Sequence, residues 1–122
     1  WLGIWSTPQR YAATLDRIGE FADKAGRAHP PSRNGIQLWA GADNDGDRAR
    51  KRLAAAMEKM YRTPYERFEK YSPFGSPAEI AEFLFPYVEA GCREFNLMVV
   101  AENTEAEIDA VTEIRRRLVE GG

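Results

Sequence analysis

Three apolar runs divide the chain, at residues 1–5, 35–41 and 94–101. The first and the last are nearly continuous in apolar side chains, a pattern typical of strands covered on both faces. The middle run is bounded by glycines and is suited to a short strand. An amphipathic helical pattern follows each run. Strands and helices that alternate in this way predict an α/β fold with a parallel sheet and right-handed crossovers.

The first two helices and a shorter one are predicted from capping residues and apolar spacing. Thr7 is a good N-cap and Pro8 a good first helical residue, and apolar residues then recur every three or four positions. A long amphipathic helix is predicted over about residues 45–61. Residues 63–71 carry a second, shorter helical pattern that Pro64 is expected to open.

The last two helices are predicted from their first turns. Ser76 and Glu79 have the spacing of a capping box, with Pro77 at the first helical position. Thr104 and Glu107 repeat the capping-box spacing, and apolar residues at helical intervals follow both pairs. We therefore expect one helix before the third strand and another after it.

The length of the chain limits how these units can be assembled. A closed (β/α)8 barrel needs about 250 residues, or roughly 31 per unit, and this chain has 122. Three parallel strands alone would leave two strand edges and one sheet face poorly protected. The apolar start, without an initiator Met or a basic leader, is that of a chain interrupted at a buried strand. We expect residues 1–122 to be a single region, about three β/α units of a larger TIM barrel.

Composition excludes several classes of function. The chain has 17 basic and 19 acidic residues and a net charge of −2, so it lacks the positive field that nucleic-acid binding needs. Its longest apolar stretches are far shorter than the ~20 residues that cross a bilayer. The single cysteine cannot form an internal disulfide, which suits a cytoplasmic protein. We expect a cytoplasmic domain with neither a membrane nor a nucleic acid as partner.

Four segments resemble the C-terminal part of the bacterial-luciferase-like, flavin-dependent oxidoreductases. They are residues 1–8 (WLGIWSTP), 26–27 (GR), 75–82 (GSPAEIAE) and 89–97 (EAGCREFNL). The resemblance implies a TIM barrel in which the three apolar runs are the sixth, seventh and eighth strands. It also implies reduced FMN or a deazaflavin as cofactor, and monooxygenation or hydride transfer on a small-molecule substrate. The family's phosphate-binding loop and its variable catalytic groups lie upstream of Trp1, so no catalytic residue is assigned.

Candidate ligand-binding residues follow from their position at strand ends, because TIM-barrel active sites form at the carboxyl ends of the strands. Trp5 and Trp39 offer flat aromatic surface and an N–H donor to an isoalloxazine or substrate pocket. Packing in the core is the other interpretation of both. Asn96 is the one amide in the last strand; it could orient a ligand from the barrel interior or bond to neighbouring backbone.

A metal site is not predicted. The acidic segment 43–47 resembles a calcium loop, but Gly46 is two positions early and Ala54 stands where a bidentate Glu is required. We interpret the acidic residues as the start of a helix, where they complement its dipole. His29 is the only histidine and lies in a polar, proline-bounded loop, which excludes a multi-histidine site within this chain.

Two further features have a structural and a functional interpretation. An aromatic cluster precedes the Ser76 capping box and is expected to pack over the barrel, or else to cover the flavin as a lid. Cys92 follows a helix-ending glycine and is expected to be a buried apolar thiol. The cluster comprises Tyr65, Phe68, Tyr71 and Phe74.

The sequence therefore supports two hypotheses of different classes. The first is the C-terminal portion of a luciferase-like flavin-dependent oxidoreductase, incomplete on its own because part of its site lies elsewhere. The alternative is a non-catalytic α/β interaction module that uses exposed strand edges and the aromatic cluster to form a homodimer or to bind a protein partner.

Overall fold

The computed structural model describes residues 2–24, 26 and 34–120. Trp1, Ala25 and His29 lie outside the described residues. The elements follow one another in the order β1 (Leu2–Ile4), α1 (Pro8–Lys24), β2 (Gly35–Ala42), α2 (Gly46–Tyr61), two 3₁₀ helices (Tyr65–Arg67 and Glu69–Tyr71), β3 (Phe74–Gly75), α3 (Pro77–Glu89), β4 (Glu94–Val100) and α4 (Thr104–Glu120).

The described strands form one parallel sheet with β2 at its centre. β4 pairs with β2 from Gly35 to Gly41, and β1 pairs with it from Gly35 to Gln37. The two-residue strand β3, which the sequence pattern did not predict, pairs with Gly41 and Ala42. A strand has two edges, so β1 and β3 lie one after the other along the edge opposite β4. The predicted α/β fold with parallel strands is confirmed.

The short helix predicted over residues 63–71 is two consecutive 3₁₀ helices. The aromatic residues Tyr65, Phe68 and Tyr71 are three apart, which is the repeat of a 3₁₀ helix and not that of an α-helix. The predicted short helical segment is therefore confirmed, and the structure shows that its helices are of the 3₁₀ type.

Of the two predicted capping boxes, one is confirmed and one is wrong. The Ser76 hydroxyl accepts from the Glu79 backbone N–H over 3.2 Å and the Glu79 carboxylate accepts from the Ser76 N–H over 3.2 Å, so this capping box is confirmed. The capping box predicted at Thr104 is wrong by one position. Asn103 is the cap of α4, because its side-chain oxygen accepts from the Ala106 N–H over 2.8 Å.

Helices α1, α3 and α4 cover one face of the sheet, which we call the outer face. Ile36, Leu38 and Ala40 of β2 point toward them, and Phe95, Leu97 and Val99 of β4 lie beside these residues in register. The helices contribute the buried side chains Tyr11, Ile80, Leu84, Tyr87 and Ile114. The Tyr87 hydroxyl donates to the Ser6 carbonyl and the Tyr11 hydroxyl to the Gly35 carbonyl, so each buried phenol is paired.

The opposite face, the inner face, is covered by α2 at the carboxyl end of β2. A Cβ on Gly41 would lie 2.6 Å from the Ala49 carbonyl oxygen and 2.8 Å from the Leu53 Cβ, so only glycine permits this approach. The rest of the face is open: Ile4 is 47% exposed and Asn96 is exposed. The expectation that β1 and β4 are covered on both faces is therefore wrong for the described residues.

The segment between β2 and β4 is more than a simple crossover, because it contains α2 as well as the crossover helix. Two α-helices separate these parallel strands, and α3, on the outer face, makes the crossover. α2, the 3₁₀ helices and β3 form an insertion that packs on the inner face instead. No described helix is long and apolar enough to cross a membrane.

Candidate functional site

The carboxyl ends of β1, β2 and β4 lie at one end of the sheet because the three strands are parallel. Trp5 directly follows β1, Asp43 directly follows β2 and Ala101 directly follows β4. The insertion with α2 packs against this end. Parallel α/β sheets bind ligands at the carboxyl ends of their strands, so this end is the candidate site.

Tyr61, the last residue of α2, joins the two candidate tryptophans. The Trp39 indole N–H donates to the Tyr61 hydroxyl over 2.9 Å, and the two rings meet edge to face with centroids 6.0 Å apart. Trp5 also meets Tyr61 edge to face, with ring centroids 5.6 Å apart. We call Trp5, Tyr61 and Trp39 the aromatic bridge, because it connects the ends of β1 and β2 through α2.

Trp5 is the strained member of the aromatic bridge. Its φ of +50° lies in the left-handed region, which costs a residue with a Cβ roughly 1–2 kcal/mol. Its indole stacks on Phe68 at 4.8 Å and approaches Tyr71 at 6.1 Å. Aromatic pairs contribute about 0.5–1.5 kcal/mol each, so these contacts are large enough to hold the strained conformation.

For Trp39, the sequence allowed either a place in the ligand pocket or packing in the core, and the structure is compatible with both. It is 9% exposed and packs with Leu53, Met57 and Tyr65 in a second core beneath α2. This core lies on the inner face at the candidate site, so packing and a position at the strand end are compatible. The packing of α2 on this end of the inner face covers Trp39.

Asn96 lies on the inner face, farther from the carboxyl ends than Trp39. It stands opposite Gln37 in the β2–β4 register, and its side-chain amide donates to the Gln37 side-chain oxygen over 3.5 Å. The partner is thus a side chain and not the backbone. Trp39 and Met98 form the next cross-strand pair on this face. The structure brings Trp5 and Trp39 together and leaves Asn96 one row away, exposed.

Tyr61 and Gln37 are the site residues that the sequence pattern did not single out. Tyr61 continues the buried stripe of Leu53 and Met57 at intervals of four, and this continuation is the signal that could have identified it. Gln37 is recognisable only from the register that places it opposite Asn96. Its partnership with Asn96 cannot be inferred without knowing which strands pair.

The aromatic cluster that precedes α3 packs onto the aromatic bridge. Phe68 contacts both Trp5 and Tyr61, with centroids 4.8 and 5.3 Å away. Tyr65 is fully buried and its hydroxyl donates to the Ser72 carbonyl over 2.7 Å, which closes the turn that holds the 3₁₀ helices. Burial raises the pKa of Tyr65 to about 12. The cluster thus covers the carboxyl end of the sheet.

The acidic segment begins α2. The Asp45 carboxylate accepts from the Asp47 and Arg48 backbone N–H groups, as expected of an N-cap. Asp43 accepts from the Asp45 N–H at 2.8 Å and pairs with Arg52 at 3.3 Å. These interactions, the backbone hydrogen bond first, hold the pKa of Asp43 below its usual value. Within the described residues no three His, Cys, Asp or Glu side chains form a group that could hold a metal ion.

Cys92 is buried between α3 and β4, as predicted for an apolar thiol. Its sulfur donates to the Glu94 carbonyl over 3.2 Å, and burial raises the pKa of the thiol. A thiol with a raised pKa is a poor nucleophile near neutral pH. Cys92 therefore belongs to the outer core and not to the candidate site.

Comparison with known proteins identifies a structural relative. No protein-family model and no curated protein matches the chain. A solved structure does match: an F420-dependent secondary alcohol dehydrogenase in complex with an F420–acetone adduct, with a TM-score of 0.69 and 18% sequence identity. The fold is that of part of a TIM barrel. The match covers 96% of this chain and 42% of that dehydrogenase, so the chain spans less than half of its relative's length.

Proposed function

We propose that residues 1–122 are the C-terminal portion of a luciferase-like TIM barrel whose complete form is a cytoplasmic, flavin-dependent oxidoreductase. The segments that resemble this family, the fold match and the position of the aromatic bridge support the proposal. The structural relative binds an F420 adduct, which favours a deazaflavin over FMN as cofactor. We accordingly favour hydride transfer to or from a small-molecule substrate over monooxygenation.

The observation that carries the proposal is the aromatic bridge at the carboxyl ends of β1 and β2. The rings of half-buried Trp5 and of Trp39, which is 9% exposed, are held in fixed orientations, because Tyr61 contacts both and accepts the Trp39 N–H. Rings held in this way lose little conformational entropy when a planar ligand packs against them. The cofactor would supply the redox chemistry when bound, while these residues would form one wall of its pocket and exclude water.

Asn96 and Gln37 would contribute polar contacts deeper on the same face. Asn96 is exposed and Gln37 is half-buried. Among the described residues, the hydrogen bond between their side chains leaves the Asn96 oxygen and the Gln37 amide group available to a ligand. The site residues we propose are therefore Trp5, Trp39 and Asn96, supported by Tyr61 and Gln37. No catalytic residue is assigned.

The open inner face explains why we expect only weak ligand binding by this chain. A ligand pocket typically encloses most of its ligand's surface. The inner face is covered by α2 only at the carboxyl end of the sheet, and Ile4 and Asn96 are exposed on the rest of it. A flavin on the aromatic bridge would keep much of its surface in water. We expect no turnover by the 122-residue chain.

Titration of the ¹⁵N-labelled chain with FMN and with a 5-deazariboflavin tests this proposal. We expect chemical-shift changes at the Trp5 and Trp39 indoles and at the Asn96 amide, without saturation at micromolar ligand. Trp39→Leu should remove the effect, and Phe21→Leu, on an exposed part of α1, should not. Shift changes confined to the α3–α4 surface would refute the proposed site. Tight stoichiometric binding would refute the expectation that this chain forms only part of the pocket.

A specific observation also supports the alternative, a non-catalytic interaction module. β4 is a long strand whose second edge has no partner among the described residues. Unprotected edges of this kind pair readily with other chains. The two proposals make opposite demands on this edge, because a closed barrel would pair it with another strand of the barrel.

A further inference from the structure

The insertion, residues 46–75, carries positive charge in a chain that is negative overall. It contains eight basic and four acidic residues, whereas the rest of the chain contains nine basic and fifteen acidic residues. The insertion packs at the carboxyl ends of the strands, where the aromatic bridge lies. Positive charge confined to one small region favours a small anionic ligand over an extended polyanion.

Most acidic side chains of the insertion already have partners within it. The Glu58 carboxylate accepts from the Tyr65 backbone N–H over 3.0 Å. The carboxylates of Glu66 and Glu69 lie 3.9 and 3.3 Å from the Arg50 guanidinium. Both partners of each contact belong to the insertion, so these contacts do not depend on strand pairing at the sheet edges. Five further cations of the insertion are exposed and form no ion pair with the described residues: Lys51, Lys59, Arg62, Arg67 and Lys70.

Two of these cations adjoin the aromatic bridge. The Lys70 ammonium lies 5.1 Å from the centre of the Tyr71 ring, and the Tyr71 and Trp5 ring centroids are 6.1 Å apart. Arg62 directly follows Tyr61, the residue that contacts both tryptophans. Each cation is thus linked to Trp5 through one tyrosine.

Arg62 has a backbone conformation that glycine would adopt at lower cost. It is the C-cap of α2, with φ +53° and ψ 39°, and its N–H donates to the Glu58 carbonyl over 2.8 Å. Helices that end in this left-handed conformation usually have glycine or asparagine there. Among the described residues other than glycine, Trp5 and Arg62 alone have a positive φ. Backbone strain of this kind is concentrated at functional sites, and here both strained residues adjoin the same tyrosine.

We propose that Arg62 and Lys70 bind the anionic group, a phosphate or a carboxylate, of a ligand whose planar ring packs on the aromatic bridge. This inference rests on the proposed function, because it takes the aromatic bridge as the ring-binding surface. The two cations donate to the anionic oxygens at the carboxyl end of the sheet. The uncharged side chains of Gln37 and Asn96 meet the ligand deeper on the inner face.

Two pairs of probes test this assignment in the ¹⁵N-labelled 122-residue chain. FMN and riboflavin differ by a phosphate, and benzoate and benzyl alcohol differ by a carboxylate. Dissociation constants come from flavin fluorescence as the chain is added, and from the Trp5 and Trp39 indole shifts for the other pair. In at least one pair the anion should bind about threefold to tenfold more tightly at low salt, and about equally at roughly 0.5 M NaCl. A preference for FMN assigns the anion to the cofactor, and one for benzoate assigns it to the substrate.

Arg62→Gly separates ligand binding from stability. Glycine adopts the left-handed conformation readily, so this variant should unfold at the same or a higher urea concentration than the parent chain. It should nevertheless lose at least half of the anionic preference, and so should Lys70→Gln. Arg17→Gln removes an exposed cation from α1 and should leave the preference unchanged. If Arg62 served only to complement the dipole of α2, Arg62→Gly would change stability and not the preference.

The outcomes distinguish this inference from the proposed function. A preference that survives in both variants, or one that Arg17→Gln lowers equally, overturns the inference. If riboflavin and benzyl alcohol shift the Trp5 and Trp39 indoles and the anions bind no more tightly, the inference fails and the proposed function stands. If no probe shifts either indole, both fail.

Discussion

The outer face of the sheet is covered by three helices, which bury it completely at β2 and partly at β4, whereas the inner face is covered only at its carboxyl end. Fully buried side chains such as Ile36, Leu84 and Ile114 fill the outer layer. The inner layer is rich in aromatic rings that meet edge to face or stacked around Tyr61. The outer face therefore supplies most of the stability, and the inner face holds the groups that could contact a ligand. Stability and candidate function thus lie on opposite sides of the same strands.

Truncation in the outer layer should have the largest effect on stability. Leu84 of α3 is fully buried, and Leu→Ala at such a position costs about 2–5 kcal/mol. We expect Leu84→Ala to lower the free energy of unfolding in urea by this amount. Ile108→Ala, at a residue 61% exposed, should change it by less than about 0.5 kcal/mol. Equal effects of the two variants would contradict the assignment of the main core.

A methyl group at Gly41 should disturb the inner layer selectively. In Gly41→Ala the new Cβ would lie 2.6 Å from the Ala49 carbonyl oxygen, so α2 has to move. We expect a loss of about 1–3 kcal/mol in unfolding free energy, with altered Trp39 fluorescence. Gly46→Ala is the matched control, since a Cβ at this position would have nothing within 4 Å. If Trp39 fluorescence is unaltered in Gly41→Ala, the close packing of α2 on β2 is wrong.

Removal of the Tyr61 hydroxyl should break the aromatic bridge without removing a ring. Tyr61→Phe leaves the Trp39 N–H without its acceptor and should cost about 0.5–1.5 kcal/mol. The Trp39 indole proton resonance should shift upfield, as expected for a lost hydrogen bond. Tyr71→Phe is the control, because Tyr71 contacts Trp5 through its ring. A Trp39 indole resonance that is unchanged in Tyr61→Phe would refute the bridge.

The smallest expected effect is a pH dependence at the start of α2. Asp43 has a lowered pKa in the folded chain, so the unfolded chain binds its proton more readily. Its contribution to stability is therefore present above the ordinary aspartate pKa and is lost as pH falls through the lower folded value. Asp43→Asn should lose less stability than the parent chain during acidification. Parallel stability–pH curves for the two proteins would contradict this assignment.

The outer face could largely be predicted from sequence because its signals are local. Ser76 and Glu79 mark the start of α3 through contacts within a single turn. Apolar spacing along α3 then predicts which side of the helix is buried, and buried Ile80 and Leu84 follow that spacing. Such patterns depend on helical geometry alone, so they are visible before the fold is known.

The inner face could not be predicted in the same way. The spacing over residues 45–61 shows that α2 is amphipathic, but it does not show which side of the sheet the helix covers. That choice depends on Gly41, whose missing side chain allows the Ala49 turn to approach β2. The apolar residues of β4 likewise predicted cover on both faces, although Asn96 is exposed. A strand's composition shows that it can be buried, and its neighbours decide whether it is.

The amino-acid sequence by itself determined the α/β class, the parallel strands, most helix starts and the two candidate tryptophans, because periodicity and capping are local properties of the chain. Tertiary structure decided that α2 lies on the inner face and that β3 joins the sheet. It also decided that Tyr61 connects Trp5 to Trp39. These contacts join residues far apart in sequence, and their formation depends on strand register and close backbone approach, which no local pattern encodes.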